Sequence, residues 1–285
     1  MLKKGNVKDF DDYDENGYTP LYYAVINKNL ELTKILLDKG CDINRLHQKK
    51  ETTVLWYAVD TGNVEMVKLL LKYNPDLSIK SKDNFYTRKS YILGTGIDAS
   101  TNNGRKQKYE IVKLLLEAGC NPNATIESDN KNYTITASCC RNGDEDLIEL
   151  LIEYGGNPFA VWEAWLWNHK YSFSIIRKDI YNEGIDYDKK NAVYRGLVKY
   201  YKNKFLVATD NLRIRNGYSR SDGTITAIKK GTKVKVLNAD NMEIIDDIHS
   251  CWVEVEVLPG SVDSNGKAIP KGTKGWCFLG YLASE

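Results

Sequence analysis

The sequence has no apolar run long enough to cross a membrane and no leader at its start. None of its stretches reaches the ~18 consecutive apolar residues that a membrane helix needs. The first 20 residues lack the apolar centre of a signal peptide. The chain as it stands therefore predicts a cytoplasmic protein without a transmembrane segment, whereas a leader upstream of Met1 would predict a periplasmic or secreted one.

The sequence also has little net charge and few histidines. Its 40 Lys and Arg face 38 Asp and Glu, and the resulting charge of +2 is too small for recognition of nucleic acid or of a membrane surface through bulk electrostatics. His47, His169 and His249 are scattered, and none stands at metal-ligand spacing. We expect surface or loop histidines, no metal, no cofactor, and a partner recognised by shape and aromatic contact.

Common enzyme motifs are missing as well. The chain contains no phosphate-binding loop, dinucleotide fingerprint or nucleophile elbow. Its 285 residues fit two modest domains, since a typical domain holds ~100–200 residues. We predict no catalytic residue.

One helical sequence pattern is repeated four times. Copies of a pattern such as ELTKILLDKGCDIN start at Glu31, Glu65, Glu110 and Asp146, with apolar residues at helical spacing. Each copy closes on a residue type that tolerates a left-handed backbone: Gly40, Asn74, Gly119 or Gly155. One face of each helix is therefore predicted to be buried.

A shorter helix precedes each block. Thr19 and Thr53 are natural N-caps, and Pro20 suits the first helical position. The TPLYYA run, the E-[hydrophobic]-x-K-x-LL helix and the closing G-x-x-x-N at 40–44 and 119–123 resemble the ankyrin repeat over roughly residues 12–158. The resemblance implies an all-α solenoid of about four repeats with a protein-binding groove.

The pattern departs from the family in three places. About eleven extra residues in the third repeat, around 94–108, predict a polar flexible loop between paired helices and a candidate partner contact. Ile135 and Thr136 replace the usual Pro and Leu of the fourth repeat. Beyond it, 160–176 and 187–204 are predicted to form a cap of two helices.

From about residue 205 the apolar spacing changes to alternation. LRIR at Leu212–Arg215, TKVKVL at 232–237 and CWVEVEV at 251–257 predict strands of a small β domain. With GTKGWCFLGYL at 272–282, this segment is similar to the bacterial Src-homology-3-type domain. The matching positions are Leu212, Arg215, Gly217, Gly231, Trp252, Gly275, Trp276 and Tyr281.

Three segments follow from these patterns. They are an ankyrin-repeat domain over 1–158, a helical cap or linker over 159–204, and an SH3-like all-β barrel over 205–285. Together they leave no ~100 residues for a catalytic domain, so we predict a protein that is not an enzyme.

The ankyrin resemblance also implies which residues contact a partner. The concave-face candidates are Glu15, Asn16, Tyr18, Ile26, Asn27, Lys49, Lys50, Thr52, Asp60 and Thr61. Tyr22 and Trp56 lie on the same inner helices, and we favour packing between repeats for both.

The barrel candidates are aromatic. Tyr218, Trp252, Trp276 and Tyr281 are predicted to line a ligand groove, although barrel core is an equal alternative for the two tryptophans. Related bacterial barrels imply cell-wall peptide or glycan as the ligand. The long segments 238–250 and 258–270 would border this groove.

The cysteines fit small buried slots. Cys41, Cys120 and Cys139 occupy such columns of the repeat, and Cys139 does not bridge its neighbour Cys140. A bridge between Cys251 and Cys277 is not favoured without an export signal, but strand neighbours could form it.

The function predicted from these patterns is a scaffold or adaptor, whose oligomeric state the patterns leave open with a monomer favoured. Its groove would bind a protein and its barrel a second ligand, and two weak modules on one chain gain from effective concentration. An immunity or inhibitor protein for a secreted toxin or enzyme is an alternative, and so is a targeting subunit of a cell-wall enzyme.

Overall fold

The computed structural model describes residues 10–82, 89–98, 104–128, 131–142, 144–160, 162–166, 169–173 and 187–284. The helices are α1 (Pro20–Ile26), α2 (Leu30–Asp38), α3 (Val54–Asp60), α4 (Val64–Leu71), α5 (Ile92–Asp98), α6 (Arg105–Glu117), α7 (Ile135–Asn142), α8 (Glu145–Glu153) and α9 (Tyr187–Tyr201). The strands are β1 (Ser81–Lys82), β2 (Lys89–Ser90), β3 (Thr125–Ser128), β4 (Lys131–Thr134), β5 (Trp162–Leu166), β6 (His169–Phe173), β7 (Phe205–Ala208), β8 (Leu212–Arg215), β9 (Thr224–Ile228), β10 (Lys233–Ile245), β11 (Ile248–Val257), β12 (Lys274–Phe278) and β13 (Leu282–Ala283).

The chain divides into two compact units. The first contains the residues up to Ile135 together with 164–169, and the second contains 136–163 together with the residues from 170 onwards. The domain limits after residues 158 and 204 stay predictions. None of the helices in the described part of the chain is long and apolar enough to cross a membrane.

Three helix pairs form the repeat stack of the first unit. The inner helices α1, α3 and α5 contact one another in that order, the outer helices α2, α4 and α6 do the same, and each inner helix packs on the outer helix of its own pair. Leu21, Leu36, Leu70 and Leu115 are buried between the layers. Full burial of such a side chain contributes about 1.5–3 kcal/mol.

Side-chain caps begin the helices of the first two pairs. The Thr19 hydroxyl accepts the Tyr22 N–H and the Thr53 hydroxyl accepts the Trp56 N–H, as the sequence predicts. The outer helices start on Asn29, which caps α2 through its side-chain oxygen, as Asn63 caps α4. Each cap satisfies a backbone donor that the helix itself leaves free.

The outer helices end where the repeated pattern predicts. Gly40, Asn74, Gly119 and Gly155 have φ values of 85°, 49°, 97° and 90°. Only Gly and, less readily, Asn adopt this left-handed region without steric cost, which explains the residue types at this position.

The prediction of a flexible loop in the third repeat is largely wrong. Most of the segment 94–108 that was expected to be a loop is helical, because α5 continues to Asp98 and α6 starts at Arg105. Residues 99–103 lie outside the described residues. The repeat is also lengthened before α5, where Ser81 pairs with Ser90 in the two-stranded ladder of β1 and β2.

Of the two predicted cap helices, the first is wrong and the second is present. Residues 162–166 and 169–173 form strands, not a helix. The sequence WEAWL places Trp and Leu at helical spacing, yet aromatic residues also favour strands, so periodicity alone did not decide the case. The second predicted helix exists as α9.

Helix α9 joins two parts of the second unit. Gly196 lies so close to α8 that an added Cβ would stand 2.8 Å from Ile152 Cβ. Arg195 Nε and Lys199 Nζ lie 2.6 and 2.7 Å from the Glu149 carboxylate oxygens of α8. On the sheet side, the Met242 N–H donates to the Tyr194 hydroxyl oxygen at 3.1 Å.

The C-terminal part is a curled antiparallel sheet of seven strands. Their order is β13-β7-β10-β11-β12-β8-β9. Alternate side chains such as Val234, Val253, Val255 and Cys277 are buried on one face and form its core. A small β domain is confirmed, and its assignment as an SH3-like barrel stays a prediction.

A second apolar cluster occupies the opposite face of this sheet. The two register shifts in β10, next to Asn238 and Met242, change which side chains face inwards. Ile245, Trp252 and Phe278 consequently meet outside the main core, with Trp276 packed partly exposed against them.

Candidate partner-binding surfaces

Two short turns project from the repeat stack next to the inner helices. We call residues 14–18 finger 1 and residues 47–52 finger 2. Finger 1 is closed by the Asp14 N–H, which donates to the Tyr18 carbonyl at 3.0 Å. The Asp14 Oδ1 atom accepts the N–H groups of Asn16 and Tyr18 at 3.0 and 2.8 Å.

Finger 2 is closed by a histidine. The His47 N–H donates to the Thr52 carbonyl at 2.8 Å. Its Nδ1 accepts the N–H groups of both Lys49 and Lys50 at 3.1 Å. His47 lies in a loop, as one of the two expected settings, but it is only 2% exposed, so it is not a surface histidine. His249 is half-buried, and the side chain of His169 lies outside the described residues.

The fingers are tied to each other and to α1. The Gln48 N–H donates to the Gly17 carbonyl at 3.1 Å, and the Lys49 ammonium donates to the Glu15 carbonyl at 3.1 Å. The hydroxyls of Tyr22 and Thr52 lie 2.6 Å apart. Finger 2 is thus held over the first repeat by three separate hydrogen bonds.

An aromatic cluster forms the wall beside the fingers. The Tyr18 ring lies 4.2 Å from the His47 ring and 5.0 Å from the Tyr23 ring, and Tyr22 lies 5.9 Å from Tyr57. Tyr23 is 40% exposed. Its hydroxyl donates to Asp14 Oδ2 at 2.7 Å, which fixes the ring at the surface.

Electrostatics reinforce these bonds. The hydrogen bond from Tyr23, followed by that from the Tyr18 N–H, holds the pKa of Asp14 below its usual value. The same bond raises the pKa of Tyr23. Burial, and then the charges of Lys50 and Lys49, lower the pKa of His47, so its imidazole is neutral at pH 7.

Most of the predicted contact residues lie at this surface. Glu15, Asn16, Asn27, Lys49, Lys50 and Asp60 are exposed, and Tyr18, Ile26 and Thr61 are half-buried. Thr52 is a correction: it is 1% exposed, because its hydroxyl turns inwards to Tyr22. A partner contact by the others stays a prediction.

The two aromatics assigned to packing are confirmed as core. Tyr22 is 1% exposed and Trp56 is 3% exposed. The most exposed aromatic side chain of α1 is instead Tyr23, which is not among the predicted contact residues. Its pairing with Asp14 requires the backbone path of finger 1, which the linear pattern does not give.

The C-terminal sheet carries a second exposed aromatic pair. Tyr218 is 47% exposed and packs edge-on against Trp276 at 5.3 Å. Trp252 is buried, and its indole N–H donates to Glu243 at 2.7 Å. The core interpretation therefore holds for Trp252, whereas Trp276 faces partly outwards.

The surroundings of this pair are polar. Arg220 reaches the Glu243 carboxylate at 3.2 Å and the Ile244 carbonyl at 3.0 Å. Tyr281 donates to Asp246, and this bond raises the pKa of the Tyr281 hydroxyl. We call Tyr218 and Trp276 the aromatic shelf.

The long segment 258–270 is not a free loop, and its place at the border of a ligand groove stays a prediction. Its Ser264 N–H donates to the Ala227 carbonyl at 2.8 Å, and Asp263 bridges Ile228. The segment therefore covers the outer edge of β9.

The cysteines are buried free thiols. This holds for all six: Cys41, Cys120, Cys139, Cys140, Cys251 and Cys277. The repeat columns predicted to hold small buried groups are confirmed. No group of three or more His, Cys, Asp or Glu suited to a metal ion occurs among the residues that the structure describes.

Comparison with known proteins identifies the repeats. A model for ankyrin repeats, described as three copies, matches residues 1–83, and a model for a single ankyrin repeat matches residues 98–126. The repeats of the N-terminal part are therefore ankyrin repeats, as the sequence predicts, and such repeats imply a protein-binding scaffold.

Two individual proteins are similar to parts of this chain. An ankyrin repeat-containing protein of Schizosaccharomyces pombe is 38% identical over 70 residues, which are 25% of this chain and 32% of that protein. This chain thus spans about a third of that relative's length. The crystal structure of the ankyrin repeat domain of Bcl-3 is similar with a TM-score of 0.43 at 21% identity, over 52% of this chain and 60% of that one.

Proposed function

We propose that this protein is a non-catalytic adaptor whose ankyrin repeats bind a protein partner through the fingers and the exposed side of the inner helices. The observation that carries the proposal is the fixed aromatic surface of Tyr18 and Tyr23 beside exposed charges of both signs. Ordered tyrosines bury much area on binding at low cost in side-chain entropy.

Site-specific photo-crosslinking tests the binding face. A benzophenone amino acid at Asn27 or Asp60, both exposed on the inner side, should crosslink one and the same partner in cells. The matched control carries the same group at Lys34 or Lys113, which are exposed on the outer helices. Crosslinks of equal yield from both faces, or loss from the inner face only, would reject the groove as the binding surface.

The partner captured in this way separates the candidate roles. A toxin or a secreted enzyme would favour the immunity or inhibitor role, which needs the same surface. A cell-wall enzyme would favour the role of targeting subunit. Any other stable partner supports the general adaptor.

We also propose that the aromatic shelf makes the C-terminal sheet a second binding module. The half-exposed Tyr218 beside Trp276 supports this, because aromatic faces flanked by polar groups suit peptides and sugars alike. Cell-wall peptide or glycan is the ligand class that the bacterial resemblance implies.

Co-sedimentation with purified peptidoglycan sacculi tests this ligand. Binding should fall at least about tenfold in Trp276→Ala, since a buried aromatic contact of a hot spot contributes about 2 kcal/mol. Ile225→Ala is the matched control, because Ile225 is also an exposed apolar residue of this sheet, 49% accessible. Absence of sedimentation by the wild-type protein removes the wall ligand and leaves groove binding untouched.

A further inference from the structure

We propose that finger 2 is a proton-sensitive part of the partner-binding surface: protonation of His47 opens the finger and displaces Lys49 and Lys50. This inference rests on the proposed function, because an open finger alters binding only if the groove contacts the partner. The experiment that tests it measures the opening of finger 2 directly and needs no partner.

Asp14 and His47 accept equivalent hydrogen bonds in successive fingers. Each uses a single side-chain atom to accept two backbone N–H groups of its own finger, Asp14 through Oδ1 and His47 through Nδ1. The carboxyl of Asp14 and the imidazole of His47 differ in the pH at which they take up a proton. A carboxylate remains an acceptor at mildly acidic pH, whereas an imidazole changes state there.

The hydrogen bonds define the proton state of His47. Because Nδ1 accepts two N–H groups, the ring proton must sit on Nε2. Nε2 is buried and has no hydrogen-bond partner. A second proton on Nδ1 would point a donor at the donors of Lys49 and Lys50, so both bonds have to break.

The groups around the ring disfavour the imidazolium inside the closed finger. On its own finger, Lys50 and Lys49 bring positive charge, and from finger 1 Asp14 brings the opposing negative charge. The remaining neighbours are the neutral rings of Tyr18 and Tyr22 at 4.2 and 5.3 Å. Burial is the largest effect and acts in the same direction as the lysines. Together they exceed the opposing effects of a hydrogen bond to the backbone of His47 and of the Asp14 charge, so the pKa of His47 is lowered from 6.5.

The direction of the pH effect follows by linkage. A histidine whose pKa is lower in the closed finger than in the open one stabilises the closed finger fully above about pH 6.5 and loses that contribution as the pH falls below it. Opening should rise about tenfold for each pH unit below 6.5 until the closed-state pKa is reached. Finger 1 stays closed in this range, because the pKa of Asp14 lies below its usual 3.8.

Amide hydrogen exchange, measured by NMR on the full chain at pH 7.5 and pH 5.5 and corrected for intrinsic rates, tests the inference. Protection of the Lys49 and Lys50 amides should fall at pH 5.5, by up to about tenfold. The Asn16 and Tyr18 amides on Asp14 are an internal control and should not change. His47→Asn supplies an acceptor that does not titrate, so its finger should show no pH dependence.

Two results would overturn the proposal. One is equal protection of the Lys49 and Lys50 amides at both pH values, and the other is the same pH dependence in His47→Asn. If that variant loses its helical circular dichroism, the His47 Cε1 proton is titrated in the wild-type protein. An apparent pKa at or above 6.5, or a titration that leaves the Lys49 and Lys50 amide shifts unmoved, then rejects the switch.

Discussion

The hydroxyl of Tyr22 lies 2.6 Å from the hydroxyl of Thr52, and both groups are buried. The bond joins the inner helix of one repeat to the finger of the next. Burial raises the pKa of Tyr22 to about 12, so the phenol stays protonated throughout the physiological range.

Removing one partner of this pair should destabilise the repeats. Tyr22→Phe leaves the Thr52 hydroxyl buried without a partner and should lower the free energy of unfolding by about 1–3 kcal/mol in urea titrations followed by circular dichroism. Thr52→Val should cost a similar amount. The double variant should cost less than the two single costs added together, and strict additivity would show that the bond contributes nothing.

Two glycine-to-alanine substitutions in the third repeat should act with opposite sign. Gly119 has a φ of 97° and open space around a Cβ, so Gly119→Ala should cost about 1 kcal/mol from the backbone alone. Gly94 lies inside α5 without a positive φ and with the same open space, so Gly94→Ala should stabilise by about 0.5–1 kcal/mol. The midpoints of urea unfolding measure both changes in stability. Changes of the same sign in the two variants would contradict the backbone conformations assigned to Gly119 and Gly94.

The contact between α8 and α9 depends on a missing side chain. Gly196→Ala would place a Cβ 2.8 Å from Ile152 Cβ and 2.9 Å from the Glu149 carbonyl, so the unfolding free energy of this unit should fall by about 1–3 kcal/mol. Lys199→Ala removes an ion pair of the same interface but should cost under about 1 kcal/mol, because Lys199 is half exposed and solvent screens its charge. A larger loss in the lysine variant would show that charge, not close packing, holds α9.

The cysteines should be unreactive in the native protein. Burial raises the pKa of Cys41 to about 11 and those of Cys120 and Cys277 to about 12. Thiolate is the reactive form, so Ellman's reagent at pH 8 should label none of the six thiols within minutes and all six in urea without reductant. Four titratable thiols in urea would instead reveal a bridge, with Cys251 and Cys277 as the neighbouring pair.

The sequence predicts best what depends on local chemistry. Thr19 and Thr53 as caps, and Gly40 and Asn74 as helix ends, follow from backbone requirements that a short window contains. The same holds for the alternating strands of the C-terminal sheet, whose apolar residues recur with the period of two that a half-buried strand requires.

What the sequence missed depends on long-range packing. The burial of His47 depends on contacts such as those with the rings of Tyr18 and Tyr22, about 25–30 residues earlier, which lie 4.2 and 5.3 Å from its own ring. Thr52 turns inwards because its hydroxyl pairs with that of Tyr22. In 162–173 the aromatic residues fit both a helix and a strand, and tertiary context decided for strands.

The packing of α9 bears on how the C-terminal sheet can be inherited or transplanted. A segment cut at residue 205 would leave behind Tyr194, which meets Met242 of the sheet, and Gly196, which meets Ile152 of α8. Gene fusions, truncations and recombination events that move the sheet intact therefore have to carry the last outer helix of the repeat pattern with it. The second compact unit likewise begins inside the fourth repeat, at Thr136.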